Sequence, residues 1–486
     1  MEQTGGRNPE GVPAVHGPVT TGAGRAVLGA GGLDLGPLGY VEHEFFVEGT
    51  ARTFTSDSPL SSDGRWQVRP WVGPDGSRDG AADYRTRIVV RRPVDVGARV
   101  PSVIVEWLNV SGGLDADPDW TFLHDEIIRA GDIWVGVSAQ RDGIFPGGNP
   151  LGEMLALVRA DPVRYGSLIH PGDDASFDIF TQVGALLRSD TGLLLGGATP
   201  DVIVAVGESR SAERLTTYVN AFGHGDVYDA YLLHSRHAVG APLRAEGLRA
   251  DAVVAPDPTL LRVDLRVPVM VLEAENDVAG ERIGYRRARQ RDSDRLVAWE
   301  IAGAAHVDAY GLGLGDRDDG SGVADAALFA AMGAPPSSVY SGVIECESPI
   351  NTGPHTYVAR AALAHLLRWA RGGEAPSSMP PLEVDTTGRD LVRDEAGNAL
   401  GGVRTPQVDV PVAALSGMGQ VAGGFCELFG TTTPLARDEL ARRYPTRAAF
   451  DDAWLAALDR AVTSGAILDA DAVRLRAVVR DAALGG

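Results

Sequence analysis

The segment Val202–Ser211, read as V-I-V-A-V-G-E-S-R-S, leaves few folds open to this chain. A β-branched apolar run stops at Gly207, and Leu215, Tyr218, Val219 and Phe222 follow at i, i+3, i+4 and i+7. The first pattern predicts a buried strand and the second an amphipathic helix. The chain must pass from one to the other through a sharp turn with Ser209 at its apex. Such a turn needs small flanking residues. Gly207 is one, and Ser211 stands where a second glycine would fit more easily. This geometry suits a serine whose Oγ is presented above a sheet as a nucleophile. The competing reading is an ordinary turn in which Ser209 caps the helix.

A nucleophilic serine needs a base, and the base needs a group to orient it. Pro268–Leu272 reads as a buried strand, with Glu273, Glu275 and Asp277 at its carboxyl end. Leu296–Ile301 reads as another, and the loop after it carries G-A-A-H, ending at His306. Taken singly, His306 is a solvated loop histidine and the acids are turn chemistry. Taken together, serine, acid and histidine follow in that order at three strand ends, where open α/β sheets gather catalytic groups. Asp277 is the expected acid, with Glu275 as the alternative. The backbone N–H of Arg210 is the first expected oxyanion donor. The second is expected from the loop after Val103–Trp107, in the backbone of Asn109, Val110, Ser111 and Gly112, unless that loop is only a connection. His170, His234 and Arg236 are candidates to line a pocket, Arg236 by offering paired donors to a substrate carboxylate. Each also has a structural reading, which the sequence favours.

Strand and helix patterns alternate along the chain. Val41–Phe54 and Tyr84–Arg92 predict early antiparallel strands. Val103–Trp107, Ile133–Val137, Val202–Val206, Ala230–Leu233, Val267–Leu272 and Leu296–Ile301 predict a parallel set, with helices at Trp120–Ala130, Phe177–Ser189, Ala212–Phe222 and Pro354–Trp369. The expected class is α/β, a mainly parallel sheet flanked by helices. Residues 1–37, rich in Gly and Pro, read as a flexible or surface-clinging arm. Residues 38–371 form the core, interrupted by an insertion at 310–351. Residues 372–486 form an extension ending in amphipathic helices, with Phe450, Trp454, Leu455 and Leu458 on one face and Val473, Val478 and Val479 on another. That extension either walls or lids a pocket, or simply enlarges the core.

The net charge of −21 argues against nucleic acid or an anionic membrane as partner, since both require basic patches. No run approaches the ~20 apolar residues of a membrane span, and the start lacks the pattern of a signal peptide. No metal-spaced Cys/His cluster, phosphate loop or dinucleotide fingerprint is present, so neither metal nor cofactor is expected. The G-A-G-G at 29–32 has no strand before it. Cys346 and Cys426 are the two cysteines. Unpaired thiols suit the cytoplasmic setting expected here, although the sequence leaves a disulfide open.

Several longer segments carry a family resemblance: Y-R-T-R-I-V-V-R-R-P (Tyr84–Pro93), V-E-W-L-N-V-S-G-G-L-D (Val105–Asp115), G-E-S-R-S-A-E-R-L (Gly207–Leu215), A-G-A-A-H-V-D-A-Y (Ala302–Tyr310) and F-C-E-L-F-G (Phe425–Gly430). In these the chain resembles a bacterial family known only as alpha/beta-hydrolase domain proteins, over roughly residues 38 to 480. The resemblance implies an α/β-hydrolase fold and a serine hydrolase, with Ser209 and His306 at its nucleophile and base positions. The family pattern more often has glutamine where Arg210 stands. It implies no particular substrate. The expected activity is cleavage of a small-molecule carboxylic ester, thioester or lactone. An acyltransferase with the same triad and a non-catalytic ligand-binding module are the alternatives.

Overall fold

The computed structural model describes residues 11–481, apart from 25, 30–31, 73–79, 98–99, 149–151, 191, 224, 246–251 and 422–423. Residues 1–10 of the expected arm and two positions of the G-A-G-G stretch therefore lie outside the described residues. One sheet contains nine strands: β1 (Ala14–His16), β2 (Tyr40–Arg52), β3 (Ala81–Pro93), β4 (Val103–Trp107), β5 (Ile133–Val137), β6 (Ile203–Glu208), β7 (Ala230–His234), β8 (Val269–Glu273) and β9 (Leu296–Glu300). Their spatial order is β1-β2-β3-β5-β4-β6-β7-β8-β9. β1, β2 and β3 pair antiparallel, as does β3 with β5, and the remaining pairs are parallel.

The parallel strands are apolar on both sides because both sides are covered. Alternate residues of a strand point to opposite faces. Val103, Val105 and Trp107 join one buried cluster with Phe177 and Phe180 of α2 (Ser176–Ser189) and Leu215 and Tyr218 of α3 (Arg210–Phe222). Ile104 joins the other with Leu123 and Ile127 of α1 (Pro118–Ala130) and Leu363 and Leu366 of α5 (His355–Ala370). The register aligns Glu208 with His234, His234 with Leu272, and Leu272 with Trp299. The loops after β6 to β9 consequently leave the sheet along one edge.

Residues on both sides of the core are bound to it. Val19 donates its amide to the Glu44 carbonyl, and Arg87 and Arg164 donate to the carbonyls of Val27 and Thr21. At the other end, Ile301 forms a parallel bridge with Val403, and a small hairpin pairs Ala413–Ser416 with Thr431–Pro434. Helix α6 (Arg447–Thr463) and α7 (Asp469–Asp481) put Leu458, Ala461 and Leu475 into the α1/α5 cluster. Val473 faces solvent, and Leu475 rather than Val473 lies on the packed side of α7. The insertion contains α4 (Val323–Gly333) and a short strand pair, Ser338–Val339 with Ile344–Glu345. The fully buried Arg360 ties it to α1 and α7, reaching Asp318 at 2.6 Å, Asp125 at 3.1 Å and Asp471 at 3.5 Å.

The two cysteines are not free. Cys346 and Cys426 form a disulfide that closes a span of 80 residues and joins the insertion to the C-terminal segment. This corrects the unpaired-thiol reading and removes its support for a reducing compartment. Cross-linking of this length stabilises a fold by about 4 kcal/mol, on a chain-entropy basis. Reductant is therefore expected to lower the melting temperature by several degrees. A thiol titration of the unfolded, unreduced protein should find no reactive thiol, and two thiols there would dismiss the pairing.

Candidate active site

Ser209 is held in a conformation that costs a non-glycine residue about 1–3 kcal/mol, with φ at 58° and ψ at −119°. Its amide donates to the His234 carbonyl at 2.9 Å, and its carbonyl accepts the Glu213 amide at 2.9 Å. A Cβ on residue 207 would come within 3.1 Å of the Ser211 Cβ and 3.0 Å of Leu215 Cδ1. A side chain at both flanking positions would force Ser211 or Leu215 to move by a few tenths of an ångström, so glycine at 207 leaves room for Ser211. The Ser209 hydroxyl makes no cap to α3, which removes the cap reading. It lies 2.9 Å from His306 Nε2.

The other face of the His306 ring meets Asp277, with Nδ1 2.6 Å from Asp277 Oδ1. Asp277 Oδ2 accepts the Ala274 amide at 2.7 Å, and both side chains are buried. A carboxylate only accepts, so Nδ1 carries its proton toward Asp277 and Nε2 is turned to Ser209. Burial pushes the Asp277 carboxyl up, but the adjoining imidazole outweighs it and leaves the group below its usual range. Burial likewise pulls His306 down, and the charges of Asp277 and Glu208 overcome it, leaving His306 above its ordinary 6.5. An imidazole in this setting sheds its Nε2 proton, and becomes a base, only at a pH above the ordinary histidine value.

Glu275 does not touch His306. Its Oε1 accepts the Gly303 amide at 2.7 Å, while Oε2 accepts the Gly417 amide at 3.0 Å and pairs with Arg393 at 3.2 Å. Asn276, between the two acids, accepts the His306 amide at 2.7 Å and donates to the Leu428 carbonyl at 3.1 Å. Three consecutive residues thus do three jobs. Glu275 staples the histidine loop to the C-terminal segment, Asn276 sets the histidine backbone, and Asp277 sets its ring.

In the loop after β4, the Asn109 amide is taken by the Ala116 carbonyl and the Ser111 amide by Asn109 Oδ1 at 2.7 Å. Of the expected region, the amides of Val110 and Gly112 have no acceptor among the described residues. Arg210 is exposed and opens α3, so its amide lies beyond the reach of intrahelical acceptors.

The three pocket candidates are engaged elsewhere, and the structural reading replaces the pocket one. His170 Nε2 lies 3.0 Å from the Ala139 carbonyl, and its Nδ1 accepts the Gly172 amide at 3.2 Å. Arg236 is fully buried, donating to the carbonyl of Thr259 at 2.6 Å and to that of His237 at 3.2 Å. His234 lies beneath the site, 2.8 Å from Asp119 through Nδ1 and 2.7 Å from His355 Nε2 through its own Nε2. His355 Nδ1 in turn donates to the Ala305 carbonyl at 2.9 Å. Burial lowers His355 to about 3, which keeps it neutral and able to accept from His234. This buried row supports Ser209 through the His234 backbone and His306 through its neighbour Ala305.

Glu208, Asn276 and His355 escaped the sequence reading. Only Glu208 left a visible mark there, as a carboxylate closing an otherwise apolar strand. Its Oε1 lies 3.0 Å from His306 Nε2, and Asn109 Nδ2 donates to its Oε2 at 3.1 Å. Among the described residues no group of three His, Cys, Asp or Glu side chains is arranged to hold a metal ion.

The chain matches the model of the alpha/beta hydrolase domain family over residues 15–477, and belongs to that family. No curated protein matches it in sequence. Similar solved structures include a glucuronoyl esterase from Solibacter usitatus, with 13% identity, 61% of this chain and 83% of that one covered, and a TM-score of 0.30. Others are an alpha-beta serine hydrolase homologue from Coxiella burnetii (13% identity, 46% and 84% covered, TM-score 0.26) and esterases from Rhizomucor miehei (14%, 45% and 70%, 0.25). At these values the likeness says nothing of this chain's substrate. No helix among the described residues is long and apolar enough to cross a membrane.

Proposed function

We propose that this protein is a serine hydrolase of carboxylic esters, working through an acyl-enzyme. One observation carries the reading: a strained Ser209 is hydrogen-bonded in series to His306 and Asp277, the three residues following the carboxyl ends of β6, β9 and β8 of one sheet. Ser209 Oγ attacks the ester carbonyl while His306 Nε2 takes its proton, and Asp277 stabilises the imidazolium that forms. The Arg210 amide, with that of Val110 or Gly112, donates to the carbonyl oxygen as it becomes anionic. His306 returns the proton to the departing alkoxide. It then deprotonates the water that releases the acyl group, regenerating Ser209.

The test is reaction with a fluorophosphonate, followed by intact mass and peptide mapping, and then a screen of p-nitrophenyl esters of increasing acyl length. A single adduct on Ser209 with turnover of at least one ester is the expected result. A folded protein that forms no adduct and turns over none of them would leave a ligand-binding module as the better reading.

A further inference from the structure

Glu208 is a buried ionisable group that the mechanism above does not use. It closes β6, one residue before the nucleophile, and its side chain is enclosed. Asn109 Nδ2 grips it twice, on its backbone carbonyl at 3.0 Å and on Oε2 at 3.1 Å. The remaining oxygen, Oε1, has no well-aligned hydrogen-bond donor among the described residues, and rests 3.0 Å from His306 Nε2. One imidazole is therefore flanked by two carboxylates, Asp277 at Nδ1 and Glu208 beside Nε2. We infer that Glu208 is a second electrostatic partner of the base, favouring the imidazolium form of His306 both at rest and in the transition state. This assignment rests on the serine hydrolase reading.

The chemistry follows from where the proton sits. With Nε2 protonated, Oε1 faces a cation and the contact is favourable. With Nε2 deprotonated, a carboxylate faces a lone pair and the contact is unfavourable. The resting pair consequently keeps one proton, which must leave to solvent before Nε2 can accept the one on Ser209 Oγ. When attack transfers that second proton, Glu208 again faces an imidazolium and lowers the energy of the charge-separated state. The same residue raises the pH at which the enzyme becomes competent and increases its rate once it is.

Other charges in range are few. His306 faces Asp277 and Glu208, with Arg282 opposing its protonation. His237 and His355 lie near enough to feel its charge. Glu208 faces His306 and His234, with Asp119 and Asp277 behind them. Burial lifts the Glu208 carboxyl to about 7, so it titrates in the range of its partner and the two share macroscopic constants.

The experiment compares wild type with Glu208→Gln, following kcat/KM for p-nitrophenyl acetate and the rate of fluorophosphonate labelling across about pH 5 to 9. The variant keeps the size and the Asn109 contact while removing the charge. Its acid limb is expected at least about one pH unit below that of wild type, and its plateau about tenfold lower. A merely structural role would lower the plateau without moving the limb, so coincident acid limbs overturn the assignment. Should the variant fail to fold, the wild type answers alone, by 15N-histidine and 13C-carboxyl NMR titration. A Glu208 carboxyl signal that moves as His306 titrates, with that titration above the ordinary histidine value, supports the pairing, and a carboxyl signal that stays still while His306 titrates overturns it. Because that titration needs no turnover, a wild type inert to ester and fluorophosphonate would count against the serine hydrolase reading alone.

Discussion

Ser209→Ala should lower kcat for any ester the wild type accepts by about five orders of magnitude, with little change in KM. The hydroxyl is the only atom removed, and it makes no helix cap whose loss would weaken α3. The fold should therefore survive, and the melting curve should stay close to that of wild type. Ser209→Gly should be equally inactive yet more stable, by about 1 kcal/mol, because glycine adopts a positive φ without strain. Steady-state kinetics and calorimetry on the two variants separate the reactivity of the hydroxyl from the strain of its backbone. A Ser209→Ala protein that retains a tenth of wild-type turnover would exclude this serine as nucleophile.

Asp277→Asn should cost about four orders of magnitude in kcat. An amide presents a donor as well as an acceptor, so the ring can turn its Nδ1 lone pair toward the asparagine and direct Nε2–H at Ser209, which disables the base. Glu275→Gln, only two residues away, should behave quite differently. It weakens the pairing with Arg393 and the clasp on Gly417, at a cost of about 2 kcal/mol in stability, while kcat falls only several-fold. Paired measurements of kcat and urea midpoint on both variants identify the orienting acid. An active Asp277→Asn beside a folded, inactive Glu275→Gln would reverse their roles.

Much of this site is legible in the sequence because its parts leave periodic marks. A strand, a glycine and a helical spacing locate Ser209, and two further apolar runs locate the acids and His306. What the pattern did not contain was direction. His234 and Arg236 sit at a carboxyl strand end, where a pocket residue would also sit. Nothing local tells which way each side chain turns, and both turn into the protein. Glu275 and Asp277 occupy one short helical turn, Glu275–Ala279, on which residues two apart face different ways, so only packing separates staple from orienting acid. The Cys346–Cys426 bond joins residues 80 apart, and their proximity is a property of the assembled fold. The C-terminal helices announced their apolar faces, but not that those faces would complete the cluster under α1 and α5.

The stapling of the histidine loop has a bearing on when the protein first becomes competent. Gly417 and Leu428 hold Glu275 and Asn276, and the Leu428 carbonyl also accepts the Val307 amide at 3.2 Å. These contacts arise more than a hundred residues after His306 in the order of synthesis. A chain emerging from the ribosome exposes Ser209, Asp277 and His306, the proposed nucleophile, acid and base, long before the segment that holds the residues beside Asp277 and His306 has been made. If the proposed triad is the one that acts, ester-cleaving power should then arrive late and abruptly during translation, and stalled nascent chains ending near residue 371 should remain inert although Ser209, Asp277 and His306 are all present.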